Sequence, residues 1–192
     1  MWSKRQGWIT VVSLVAVFCG LAAAGPVRFE REAITVWVTP DAIRVEGAYT
    51  FVNTLPVSFS QGLFYPFPID SLHPDVNNVS VHMGGSALEF KRMSKGVGFT
   101  IMLPASGSGT AIVSYEQSAL DSSGCYILTS TSAWDAPLEE ARFKVHIPDT
   151  LELIDSSYEF DRVTAQDGER IYRFVRTDFL PETDLCLRWR RR

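Results

Sequence analysis

The residues of this 192-residue chain that could do chemistry are three histidines, three cysteines and a few close-set carboxylates. No two of His73, His82 and His146 stand at a metal-ligand spacing on one element. Asp70, His73 and Asp75 could converge on a cation. Yet Asp70-Ser71-Leu72-His73-Pro74-Asp75 has the composition of a polar turn, and we read it as a solvated one. Asp178, Glu182 and Asp184 put three hard oxygen ligands, the kind calcium takes, into one short loop. That loop lacks the glycine and the ordered spacing of a calcium loop. The alternative is a turn in which Asp178 and Asp184 accept bonds from backbone amides. A serine hydrolase needs a nucleophile with a base in reach. The chain has neither G-x-S-x-G nor S-x-x-K, and nothing beside Cys125 marks an activated thiolate. Glu139 and Glu140 would point to opposite faces of a strand, so they cannot share a proton. The expectation is a protein without catalytic residues, cofactor or resident metal.

Binding is the other chemistry available. Exposed tryptophans can stack on sugar rings, and the candidates are Trp37, opposite Ile34, Val36 and Val38, and Trp134, in a predicted loop. The stretch GLFYPFPID, residues 62–70, concentrates aromatic and proline residues. With a period of two, Leu63, Tyr65 and Phe67 point one way, and Phe64, Pro66 and Pro68 the other. One of these faces must close a core. Pro66 and Pro68 cannot donate to a ladder, so this strand should end at an edge or a bulge. An edge formed by Phe64, Tyr65, Pro66, Phe67 and Pro68 could receive a partner's strand. At the C-terminus, Arg188, Arg190, Arg191 and Arg192 surround Trp189 and could touch anionic lipid or an acidic partner. We read them as guarding an edge strand against stray pairing.

The elements that must position these residues alternate in the manner of half-buried strands. Ile34, Val36 and Val38 share a face, as do Ile43, Val45, Tyr49 and Phe51. Val97, Phe99, Ile101 and Leu103 repeat the pattern, and so do Phe143, Val145 and Ile147, which leave His146 on the solvent side. Gly84-Gly85, Ser94-Lys95-Gly96 and Gln166-Asp167-Gly168 are turn signals. Short strands are expected at Leu151–Ile154 and Tyr158–Phe160. No window keeps helical spacing for three turns. About a dozen short strands with frequent turns predict an all-β fold, an antiparallel β-sandwich whose halves could form two packed β subdomains. A soft seam lies at 118–124.

The N-terminus has the layout of a secretory signal peptide, expected over residues 1–24. Lys4 and Arg5 precede an apolar run from Trp8 to Leu21, which closes on Ala22-Ala23-Ala24. That run is shorter than the ~20 residues a span needs; an uncleaved N-terminal anchor is the alternative. Cys19 stands where bacterial lipoproteins are lipidated, but it follows Phe18 rather than a small residue, and we read it as unmodified. Removing Lys4 and Arg5 from 18 basic residues leaves 16 against 22 acidic, a net charge of −6 over residues 25–192. Such a chain is not expected to bind nucleic acid. Cys125 and Cys186 remain, and in an exported protein they are candidates for one disulfide, with a pair of buried thiols as the alternative. The expected location is periplasmic or extracellular, with no stable membrane span after cleavage.

Ile34 to Asp70 carries a strand ending Tyr-x-Phe-x-Asn and a later strand closing on Phe-Pro-Ile-Asp. It resembles the opening of vault/inter-alpha-trypsin (VIT) domains and of exported bacterial domains of unknown function. Cys125 to Pro148 and Phe174 to Trp189 look like the second half of those exported domains. A looser similarity is to the N-terminal β-domain of aminopeptidase-like proteins, whose HExxH is absent here, so that activity does not follow. The resemblance implies an extracytoplasmic β-sandwich. The function expected is a non-catalytic exported protein that binds a protein partner in the cell envelope or forms part of its structure. A carbohydrate-binding module and an enzyme with an unrecognised site are the alternatives.

Overall fold

The computed structural model describes residues 25–74, 76–134 and 136–192. The expected signal peptide with Cys19, and Asp75 of the candidate cation turn, lie outside the described residues. The chain forms an all-β sandwich. Its strands are β1 (Val27–Val38), β2 (Ala42–Asn53), β3 (Phe59–Pro66), β4 (Val76–Met83), β5 (Ser86–Ala87), β6 (Phe90–Met93) and β7 (Gly96–Leu103). They continue as β8 (Ser108–Ser118), β9 (Ser123–Tyr126), β10 (Leu138–Pro148), β11 (Leu151–Ser156), β12 (Arg162–Gln166), β13 (Glu169–Phe179) and β14 (Leu185–Arg191). A short 3-10 helix, Thr129–Trp134, stands between β9 and β10.

Eight strands make one sheet in the order β12-β13-β10-β1-β2-β8-β4-β5. Two small sheets, β11-β14-β9 and β3-β7-β6, cover it. Ile34, Val36, Val45, Tyr115, Phe143 and Val145 of the large sheet form one hydrophobic cluster with Tyr65, Val97 and Ile101 of one small sheet and Leu185, Leu187 and Trp189 of the other. Burying such side chains stabilises by roughly 1.5–3 kcal/mol each. The alternation read from the sequence therefore has a simple cause, since every second residue faces this layer.

The pairing differs from the expected antiparallel scheme at one place. β1 and β10 run parallel, with Ile34 opposite Phe143 and Val36 opposite Val145, and this pair carries the large sheet from the first half of the chain into the second. Gly84 and Gly85 take φ of 59° and 81°, and Asp167 and Gly168 take 52° and 78°, the left-handed pairs that tight two-residue hairpins require.

Four local expectations are corrected. Tyr158–Phe160 is not a strand; Tyr158 and Phe160 instead lay their rings against Phe174 at 5.3 and 5.8 Å. A strand forms at β12, where the sequence offered only a turn at its end. Trp134 sits at the end of a 3-10 helix rather than in a loop. The arginine-rich β14 is not an edge but the middle strand of its sheet, and Arg190 is paired with Glu152 at 2.8 Å.

Candidate functional site

One irregularity in β1 creates the site. The register against β2 shifts between Phe29 and Arg31, leaving Glu30 as a bulge. Before the bulge Phe29 faces inward opposite Phe51; after it Glu32 faces inward opposite Tyr49. A bulge adds one residue and re-aims the side chains beyond it. Here it puts both an aromatic ring and a carboxyl on the buried side of one strand.

Glu32 is 3% exposed. Its Oε2 accepts from the Tyr126 hydroxyl at 3.5 Å, a long contact for an O–H donor, and its Oε1 has no partner. Behind Tyr126 the hydroxyls continue as a chain, Tyr126 to Tyr49 at 3.0 Å and Tyr49 to Tyr65 at 2.8 Å. Burial pushes the Glu32 carboxyl up to about 8, a rise that the Tyr126 hydrogen bond only partly offsets. Burial likewise raises Tyr49, Tyr65 and Tyr126 well above the ordinary phenol value. The site is thus a neutral acid among neutral phenols at neutral pH.

Around this acid lies a cavity of about 70 Å³. Phe29 and Phe51 stack at 5.1 Å, and Trp134 closes on both, at 5.8 and 5.3 Å. Trp134 is brought there by the 3-10 helix, and Asp184 holds that helix. Its Oδ1 accepts from the amides of Leu128 and Thr129 and from the Thr129 hydroxyl, each at 2.9 Å. The cavity opens past Phe64, Pro66 and Trp134 into a groove of about 530 Å³ between β3 and the helix. β3 is the end strand of its sheet. Its Tyr65 and the following Phe67 are buried, whereas Phe64 is 53% exposed. Pro66 and Pro68 are half-buried, and beyond Pro66 the Phe67 amide donates to the Lys95 carbonyl at 2.9 Å.

The other sequence-derived candidates fall elsewhere. Cys125 and Cys186 face each other across β9 and β14 and form a disulfide. Trp37 lies on the outer face of the large sheet, between His146 on one side, with ring centres 5.5 Å apart, and Arg44 on the other, 4.8 Å from the ring. Its faces are therefore covered by neighbouring strands, which corrects its reading as an open stacking platform. The same stack, with a 2.7 Å bond from Nδ1 to Glu169, takes His146 out of free solvent. Asp178, Glu182 and Asp184, the calcium candidates, lie at the end of β13 and in the turn that leads to β14. Asp184 Oδ1 accepts the Leu128 and Thr129 amides at the start of the helix, and no group of three metal-binding side chains occurs among the described residues.

His73 is buried rather than solvated. Asp70 Oδ1 stands 2.9 Å from its Nδ1, and Ser123 Oγ 3.2 Å from its Nε2. The order Asp-His-Ser is that of a hydrolase triad. However, the Ser123 hydroxyl donates to Asp121 at 2.6 Å, so its proton is held by a carboxylate instead of being offered to the imidazole. The cluster ties the seam between β8 and β9 to the turn after β3.

Glu32, Tyr49 and Tyr126 were not singled out from sequence as functional. Extending the period of Ile34, Val36 and Val38 back by two residues places Glu32 inside. Phe29 on the opposite parity is the sign of the bulge.

No family model matches the chain, and no curated protein does. Solved structures share its fold. A candidate nutrient-binding protein from Legionella pneumophila superposes with a TM-score of 0.68 at 15% identity, over 86% of this chain and 67% of that one. An M1 zinc metallopeptidase variant from Deinococcus radiodurans, bound to a Tyr-Ser-Ala peptide, superposes with a TM-score of 0.54 at 12% identity, over 84% of this chain. The chain spans 42% of that peptidase's length. At these identities the likeness concerns the fold alone.

Proposed function

We propose that this protein is an exported, non-catalytic binding protein of the cell envelope that captures an extended segment of a protein partner along β3. The observation that carries the reading is the free edge of β3 beside a groove that leads into an aromatic cavity. An edge strand presents unpaired amides and carbonyls for strand addition, and adjoining pockets then select side chains. The disulfide suits an oxidising compartment outside the cytoplasm. Among the described residues no helix is long and apolar enough to cross a membrane.

A photo-reactive phenylalanine analogue in place of Phe64, introduced in the native host, tests this. A discrete adduct with one partner is expected, with none from the same probe at exposed Val163 on β12. Equal labelling from both positions would end the reading. Glycan stacking on Trp134 and Phe64 is the second reading. It predicts quenched tryptophan fluorescence with soluble cell-wall glycans.

A further inference from the structure

We propose that the cavity around Glu32 is a pocket for a primary ammonium group on a slim alkyl chain, the side chain of a lysine in the segment docked on β3. This rests on the strand-capture reading above. Three observations carry it. The Glu32 Oε1 atom is fully buried and unpartnered, a state that costs stability and that a hydrogen-bond donor would relieve. The lining is rich in aromatic rings, Phe29, Phe51 and Trp134 among them, and aromatic rings attract a cation once it is desolvated. The cavity's 70 Å³ exceeds the ~10–15 Å³ that one buried water occupies.

Other ligand chemistries fit less well. An anion would face a carboxyl with no neighbouring cation in the cavity lining. A purely apolar group would gain nothing from Glu32. A divalent metal would find a single carboxylate. A guanidinium fork calls for two free carboxylate oxygens, whereas Oε2 already receives the Tyr126 hydroxyl. An ammonium is a point charge with three donors. Oε1 can accept one, and the Tyr49 and Tyr126 oxygens stand next in the same chain.

The protons balance in a defined way. In the empty pocket Glu32 carries its proton at neutral pH. When an alkylammonium enters, the carboxyl ionises to pair with it, and one proton leaves to solvent. Affinity therefore rises about tenfold per pH unit below 8 and levels off above it, until the amine itself loses its proton near ~10.4. The titratable groups facing Glu32 are Tyr49 on β2, Tyr65 on β3 and Tyr126 on β9, all kept neutral by burial. On β10 Ala141 lies opposite, and its neighbours Glu140 and Arg142 pair with each other.

The test uses n-butylammonium and n-butanol as probes on the disulfide-bonded protein, read by the carbon shift of the Glu32 carboxyl and by calorimetry in two buffers. We expect n-butylammonium to bind with release of about one proton and to tighten from pH 6 to 8. Glu32→Gln should fold but lose at least tenfold in that affinity. Equal binding of butanol, undiminished binding by Glu32→Gln, or no shift of the carboxyl with either probe would each overturn the inference. Cross-linking at position 64 that persists in Glu32→Gln separates the two claims. The strand site then stands whatever the pocket holds. Ammonium binding without any cross-link would keep the pocket and remove the strand site.

Discussion

Tyr49 lies back over Gly47, two residues earlier on β2, so that a methyl group added to Gly47 would overlap the Tyr49 hydroxyl and ring. Gly47 is buried and faces the same side as Tyr49, and its missing side chain is the space in which the phenol reaches both Tyr65 and Tyr126. Gly47→Ala must push the ring aside and break that chain. Overpacking of this kind costs about 1–3 kcal/mol. Thermal denaturation should show the loss. In Tyr49→Ala, adding Gly47→Ala should cost little more, because the overlapping ring has gone. A full additional loss in the double variant would show that the ring is not the cause.

Cys125 and Cys186 close a separation of 61 residues between directly opposed strands. The chain-entropy model puts the stabilisation at about 4 kcal/mol. For a domain of this size that corresponds to roughly 10 °C in Tm. Reduction, or Cys125→Ser with Cys186→Ser, should lower Tm by that order while retaining the β-sheet circular dichroism. A double variant that melts with the oxidised protein would refute the estimate.

The strands were legible because burial on one face forces a period of two, and Ile34, Val36 and Val38 or Phe143, Val145 and Ile147 display it openly. The disulfide was legible as a candidate because Cys125 and Cys186 are the two cysteines beyond residue 24. The parallel pairing of β1 with β10 was not legible, since alternation fixes a strand's faces and leaves its partner open. Nor was the site. Glu32 shares the buried parity of Ile34, Val36 and Val38, but that an aromatic ring, Phe29, joins it on the same side follows only from the bulge at Glu30, and the bulge is a register fact that lives between two strands. Trp134 stands out in the sequence as a candidate stacking residue, but nothing there places it against Phe29 and Phe51. Its position depends on Asp184, fifty residues later, accepting bonds from the Leu128 and Thr129 amides where the helix begins.

That dependence is testable. Asp184→Ala removes the acceptor for the Leu128 and Thr129 amides. Leaving such donors unpaired costs about 1–3 kcal/mol each when water cannot reach them. We expect a lower Tm and a shifted Trp134 emission, as the helix loses its hold on the ring. Asp184→Asn, which keeps a side-chain oxygen, should lose less. Added calcium should leave the wild-type Tm unchanged, and a calcium-dependent rise that vanishes in Asp184→Ala would restore the metal reading.

Glu32 sets the sign of the pH dependence near neutrality. Its carboxyl is raised from 4.5 to about 8 by burial, so the folded chain holds a proton that the unfolded chain gives up. Stability from this group is fully present below pH 4.5 and is lost as pH rises through the window to 8. The slope is about 1.4 kcal/mol per pH unit, and the total is on the order of a few kcal/mol. Exposed Asp70 and Asp161 act in the opposite sense. Backbone amides hold both low, so what they contribute is lost only as pH falls below the ordinary carboxylate range. Denaturant unfolding should therefore give a wild-type stability that declines from pH 5 to 8, with Glu32→Gln nearly flat over the same interval and the more stable of the two at pH 8. A wild-type curve as flat as that of Glu32→Gln would mean that the carboxyl is already ionised in the empty pocket, and the proton release expected on ammonium binding would disappear with it.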